Sequence, residues 1–177
     1  MPAILFVCMG NICRSPMAEG VFRHLVLEAG IEEDASTGIL CDSAGTIGYH
    51  VGDPPDARAI ETAAGHGVDL SGQRARSVAD RDFQFFDHIL AMDEDNLAGL
   101  ARRCPAEYRA KVGLFMDYAP ALGLSEVPDP YYGGQDGFEL CYKLVRAAAE
   151  GLLGKIISGH FPDLEYFPTK WDQFDGS

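Results

Sequence analysis

Ala3-Ile4-Leu5-Phe6-Val7-Cys8-Met9-Gly10-Asn11-Ile12-Cys13-Arg14-Ser15-Pro16 is the stretch on which the fold turns. The first six residues form an apolar run of strand length, and from Met9 the chain is too polar and too rich in turn formers to extend it. Beyond Pro16 the apolar residues fall at helical spacing: Met17, Val21 and Leu25 on one row, Ala18, Phe22 and Val26 on the next. Gly30 follows the last of them. Ser at the cap, Pro at the first helical position and Gly past the end punctuate a helix. The segment therefore predicts a strand over 3–8, a loop, and a helix over 16–29 capped by Ser15.

The same unit recurs along the chain. Strands are expected over 39–44, 88–92 and 111–116, and helices over 55–64, 94–103 and 137–157. The last helix places Phe138, Cys141, Val145, Ala148, Leu152 and Ile156 on one face. Strands alternating with helices mean βαβ units. The fold class expected is α/β: a single domain with a central four-stranded parallel sheet flanked by helices. Residues 119–136 lack periodicity and carry several Gly and Pro, so they read as a long loop of the kind that often serves function. The domain is expected over 1–159, with 160–177 as an acidic, aromatic extension packed on it; that extension holds Trp171, the only tryptophan.

Composition narrows the function classes. In 177 residues, 14 Lys and Arg face 27 Asp and Glu, a net charge of −13. Such a balance opposes nucleic acid as a partner, since that binding depends on clustered cations. No apolar stretch approaches the roughly 18 residues of a membrane span, and the start carries no basic leader, so a cytoplasmic protein is expected. Five scattered cysteines, an odd number, suit free thiols in a reducing compartment. The histidines show no ligand spacing and no metal or dinucleotide motif occurs, so neither metal nor cofactor is expected.

Five residues separate Cys8 from Arg14, and Ser15 follows. A loop this short, curling from a strand into a helix N-terminus, aims its N–H groups (Met9, Gly10, Asn11, Ile12, Cys13, Arg14, Ser15) at one point near the positive end of the helix dipole. Gly10 and Asn11 tolerate the left-handed backbone such a cradle demands. Arg14 adds a planar fork for two phosphate oxygens. Cys8 lies at the base of the cup, where the field that holds a dianion also favours a thiolate nucleophile over a thiol.

With this loop stand DSAGT at 42–46, Tyr49 followed by HVGDPPD, MDEDN at 92–96 and DPYYGG at 129–134. Together with VCMGNICRSPMAEG they resemble the low-molecular-weight protein tyrosine phosphatase family, from Phe6 to about Leu153. The resemblance implies hydrolysis of phosphotyrosine, in a protein or a small aryl phosphate, through a cysteinyl-phosphate intermediate on Cys8. It implies that Asp129 is the general acid, that Ser15 hydrogen-bonds the Cys8 sulfur, and that Asn11 and Ser43 support the loop. It makes Ile12, Tyr49, Tyr131 and Tyr132 the substrate pocket and allows a reversible Cys8–Cys13 disulfide. A monomer is favoured.

The residues themselves agree on Asp129, which is held between Pro128 and Pro130 on a stiff turn, as a proton donor to a leaving oxygen should be. Asp93 and Asp136 are its rivals. One departure from the family is Gln73, where many relatives carry His in a similar segment; its supporting hydrogen bond is made by an amide here or lost. Two other functions share the loop. Arsenate reduction needs a cysteine relay, but Cys104 and Cys141 are far apart in sequence. A phosphoprotein-binding module without turnover is opposed by intact Cys8, Arg14 and Asp129.

Overall fold

The computed structural model describes residues 2–31 and 38–159. Among these residues four parallel strands, β1 (Ala3–Cys8), β2 (Leu40–Gly45), β3 (His88–Ala91) and β4 (Val112–Leu114), lie in the order β2-β1-β3-β4. Five α-helices among the described residues accompany them: α1 (Arg14–Glu28), α2 (Ala57–Gly65), α3 (Asp80–Phe85), α4 (Glu94–Ala101) and α5 (Gln135–Ser158). The single α/β domain with a four-stranded parallel sheet is as the sequence predicts.

β1 is central and wholly buried, which is why it reads as an unbroken apolar run. Its residues alternate between two cores. Ile4, Phe6 and Cys8 face a cluster built with α1, α2 and α5, whereas Ala3, Leu5 and Val7 face one built with α3 and α4. Phe6 meets the edges of Phe22 and Phe115 at centroid distances of 5.6 and 5.0 Å. Cys8 pairs in register with Gly45 of β2, so the C-terminal ends of the two strands finish together.

Several boundaries differ from the sequence reading. The strand expected over 111–116 stops at Leu114, because Phe115–Tyr118 turns into a 3-10 helix. Helix α1 begins at Arg14, with Cys13 at the cap position. Ser15 is thus not the cap: it lies within the first turn, and its hydroxyl serves a tertiary contact instead. At the other end the expected stop holds, as Gly30 takes φ +71° while its N–H and that of Ile31 bond to the carbonyls of Leu27 and Val26. Helix α3 was not foreseen; six residues are too few to show a period, and its start depends on the Asp82 carboxylate accepting from the Ala79 N–H at 2.8 Å. The loop at 119–136 is partly ordered by a 3-10 turn (Pro120–Leu122) and ends where α5 begins, at Gln135. The extension at 160–177 lies outside the described residues.

Helix α5 packs on α1 and, at Gly151, directly on the 3-10 turn Phe115–Tyr118. A Cβ there would stand 1.9 Å from the Tyr118 carbonyl oxygen, so only glycine permits this approach. No helix among the described residues is long and apolar enough to cross a membrane.

Candidate active site

The end of β1 and the start of α1 leave five residues to turn the chain. Asn11 makes the turn, with φ +56°. The Met9 and Ile12 carbonyls point away from the centre, accepting from the N–H groups of Ile47 (3.1 Å) and Asp56 (2.7 Å). Because a trans peptide sets C=O and the following N–H on opposite sides, the N–H groups of Gly10 and Cys13 point away from these two bonds. Gly45 is required beside the loop, since a Cβ there would lie 2.7 Å from the Met9 oxygen.

Behind the loop runs a chain of buried polar side chains. The Asn11 amide donates to Ser15 Oγ at 2.8 Å and to Ser43 Oγ at 2.9 Å, while its oxygen accepts from the Arg76 N–H at 2.9 Å. Ser43 in turn donates to Glu19 at 2.6 Å, and Ser15 Oγ lies 3.0 Å from Cys8 Sγ. Four of these groups (Cys8, Asn11, Ser15 and Ser43) were read from sequence or family resemblance; Glu19 and Arg76 were not, because the contacts that involve them are made only through the fold. Burial pushes the Glu19 carboxyl above its ordinary range, against the pull of its bonds from Ser43 and Arg23. Gln73 does not join this chain. Its amide donates to the Pro16 carbonyl at 3.0 Å and its side-chain oxygen has no partner among the described residues.

In front of the loop is a cleft of about 340 Å³, lined by Cys8, Met9, Gly10, Ile12, Cys13 and Arg14 below and by Ile47, Tyr49, His50, Asp129, Tyr131 and Tyr132 around the mouth. Tyr49 and Tyr132 are 84% and 91% exposed and stand at its rim, with Tyr131 deeper at 37%. Ile47 and His50 were not anticipated as lining residues. Cys13 is a buried free thiol, pushed up by burial and by the nearby carboxylate of Asp56.

Arg14, only 3% exposed, has its guanidinium fixed on one side: NH1 donates to Asp93 at 2.5 Å and to the Val127 carbonyl at 3.1 Å. Its NH2 lies 3.5 Å from Asp129, which is 36% solvent-accessible on the opposite wall. The two candidate acids therefore divide: Asp93 is committed to Arg14 and, as the cap of α4, to the Asn96 N–H at 2.7 Å, whereas Asp129 opens to the cleft. Asp136, the other rival, is on α5 and is not among the lining residues. Among the described residues no group of three or more His, Cys, Asp or Glu could hold a metal ion. The site offers a dianion the loop's N–H groups and a fixed arginine, with a sulfur and a carboxyl in the same cleft.

Comparison with known proteins finds relatives over nearly the whole described length. The family model described as low molecular weight phosphotyrosine protein phosphatase matches residues 3–159. A low molecular weight phosphotyrosine protein phosphatase of Schizosaccharomyces pombe is 50% identical over 140 residues, covering 78% of this chain and 86% of the relative. The Homo sapiens protein of that description is 44% identical over 143 residues, 80% of this chain and 87% of its own. Among solved structures, a protein tyrosine phosphatase from Entamoeba histolytica, crystallised with Hepes in its active site, superposes with a TM-score of 0.85 at 38% identity, covering 91% of this chain and all of that one. YfkJ from Bacillus subtilis superposes with a TM-score of 0.82 at 37% identity, over 91% of this chain and 98% of that one. Shared sequence and shared fold over this span leave one assignment: the chain belongs to the low-molecular-weight phosphotyrosine protein phosphatase family.

Proposed function

We propose that this protein hydrolyses phosphotyrosine by two successive displacements at phosphorus. The Cys8 sulfur attacks the phosphoryl group bound in the loop, the P–O bond to the phenol breaks, and Asp129 gives its proton to the departing oxygen. Water then attacks the cysteinyl-phosphate, Asp129 takes its proton, and the Cys8 thiolate leaves with inorganic phosphate released. The loop's N–H groups and the Arg14 fork carry the charge on the phosphoryl oxygens in both transition states. Ser15 bonds the sulfur as it departs, and Asn11 and Ser43 hold the loop that positions it. Tyr49, Tyr131, Tyr132 and Ile12 form the walls for the aryl ring. The observation that carries this reading is Cys8 at the floor of the cleft with Arg14 and Asp129 paired across it at 3.5 Å.

The setting proposed is the cytoplasm, where all five cysteines can stay free thiols, with a phosphotyrosine protein as substrate. Residues 1–159 are the catalytic domain in this proposal and 160–177 an appendage. Turnover of p-nitrophenyl phosphate in EDTA tests it. The rate should persist in EDTA and vanish in Cys8→Ser, which should still bind phosphate. A requirement for added divalent metal, or turnover by Cys8→Ser, would overturn it.

A further inference from the structure

Asp129 sits in a loop, yet a proton donor has to be held to within a fraction of an ångström of the leaving oxygen. On its N-terminal side the loop is tied down at Val127, whose N–H donates to the Met92 carbonyl at 2.8 Å and whose own carbonyl accepts from Arg14. On the C-terminal side, residues 130–133 form a turn closed by the Gly133 N–H to the Pro130 carbonyl at 3.0 Å. The Tyr131 N–H donates to Asp129 Oδ1 at 3.1 Å, so the orientation of the carboxyl follows the position of this turn.

That turn is held by Arg58, near the start of α2. Its NH2 donates to the Tyr131 carbonyl at 3.0 Å and its NH1 to the Gly133 carbonyl at 3.4 Å. The other edge of the guanidinium grips Asp56 through two bonds, Nε to Oδ1 at 3.0 Å and NH2 to Oδ2 at 2.9 Å. Its face lies 4.7 Å from the centre of the buried Phe138 ring on α5. Asp56 is in turn joined to the phosphate loop, because its N–H donates to the Ile12 carbonyl at 2.7 Å. One planar cation thus links the loop that binds phosphate to the turn that bears the carboxyl.

We propose that Arg58 is a positioning residue for Asp129, fixing the Tyr131 peptide and so setting the proton donor's place relative to Cys8. The inference rests on Asp129 being the general acid. Arg58 is 39% exposed, so its ion pair with Asp56 contributes little to stability; its function lies in geometry. A lysine carries three donors on a single nitrogen and cannot make the four bonds that the guanidinium makes from three.

The test compares phosphotyrosine, whose leaving group needs a proton, with dinitrophenyl phosphate, whose leaving group does not. Arg58→Met should lower kcat/KM about 10- to 100-fold on phosphotyrosine and less than about 3-fold on dinitrophenyl phosphate, the signature of a misplaced acid. Arg58→Lys, which keeps the charge opposite Asp56, should show the same selective loss and carries the test should the methionine variant fail to fold. Inhibition by inorganic phosphate should stay unchanged in both, and Arg58→Met added to Asp129→Asn should bring no further selective loss. Equal losses on both substrates, weakened phosphate inhibition, or a normal rate on phosphotyrosine would overturn the proposal. Asp129→Asn alone separates the two levels: if it shows the selective loss and the Arg58 variants do not, only the role of Arg58 fails; if it shows none, the assignment of the acid fails and this proposal with it.

Discussion

The Oγ of Ser15 lies 3.0 Å from the Sγ of Cys8, seven positions earlier in the chain. Helix α1 begins at Arg14, and side chains in a helix tilt toward its N-terminus, so the first-turn serine reaches back to the end of β1. The Asn11 amide donates into the same oxygen at 2.8 Å, and the serine proton has two acceptors in reach, the sulfur at 3.0 Å and the Ala44 carbonyl at 3.5 Å. A thiolate leaving phosphorus gains from that bond most at the moment it departs.

Ser15→Ala should therefore slow the second displacement more than the first. A hydrogen bond to a charged group contributes about 1.5 kcal/mol or more, so kcat should fall on the order of tenfold. A stopped-flow burst of p-nitrophenolate should become visible in the variant as cysteinyl-phosphate accumulates. A fall in kcat with no burst would place the serine elsewhere in the cycle.

Arg14→Lys preserves charge but cannot satisfy Asp93 and Val127 while presenting a second nitrogen to the ligand. Losing a preorganised donor to the transition state costs roughly 10²- to 10³-fold in kcat. Steady-state kinetics on p-nitrophenyl phosphate measure this directly, and near-wild-type turnover would reduce Arg14 to a structural residue.

Asp129→Asn should cost roughly 10²- to 10⁴-fold on phosphotyrosine, the usual range for general acid catalysis, and far less on a strongly acidic phenol. Parallel kcat/KM measurements on the two substrates separate lost chemistry from lost folding. Equal losses would return Asp93 to consideration.

Gly151→Ala tests the packing of α5. In most helix interiors this change stabilises by about 0.5–1 kcal/mol. Here the new methyl meets the Tyr118 carbonyl, 1.9 Å from the ideal Cβ position, and neither backbone can yield cheaply. Overpacking of this kind costs about 1–3 kcal/mol, so urea denaturation should show a lower midpoint.

Glu19 gives a pH signature. Burial raises its folded pKa above the ordinary 4.5, so near and above that value the folded state holds a proton more tightly than the unfolded chain does. The folded state is thus favoured by this group at low pH, and that advantage is lost as pH rises through the folded pKa. Glu19→Gln removes the dependence. The melting temperature of the variant, relative to the parent, should become more favourable as pH rises from about 4 toward neutrality, and a pH-independent difference would show that Glu19 titrates normally.

What the sequence by itself determined is the first βα unit and the rhythm of the rest. The apolar run over β1, the helical rows from Met17 to Val26 and the stop at Gly30 are local signals, each read within a few residues of where it acts. The residues of the candidate site loop were legible for the same reason, since Cys8, Asn11 and Arg14 lie close together in the chain. Helix α3 escaped because six residues carry no period, and Ser15 was given the cap as well as the sulfur bond because a first-turn serine and a capping serine look alike in sequence. Only the tertiary structure decided how Arg14 is held by Asp93, 79 positions on, how Ser43 reaches Glu19, and how Arg58 grips Tyr131, 73 positions away. The sheet order β2-β1-β3-β4 brings the C-terminal ends of distant strands to one edge. Which polar groups then meet depends on how whole elements pack, and local periodicity contains no information about that.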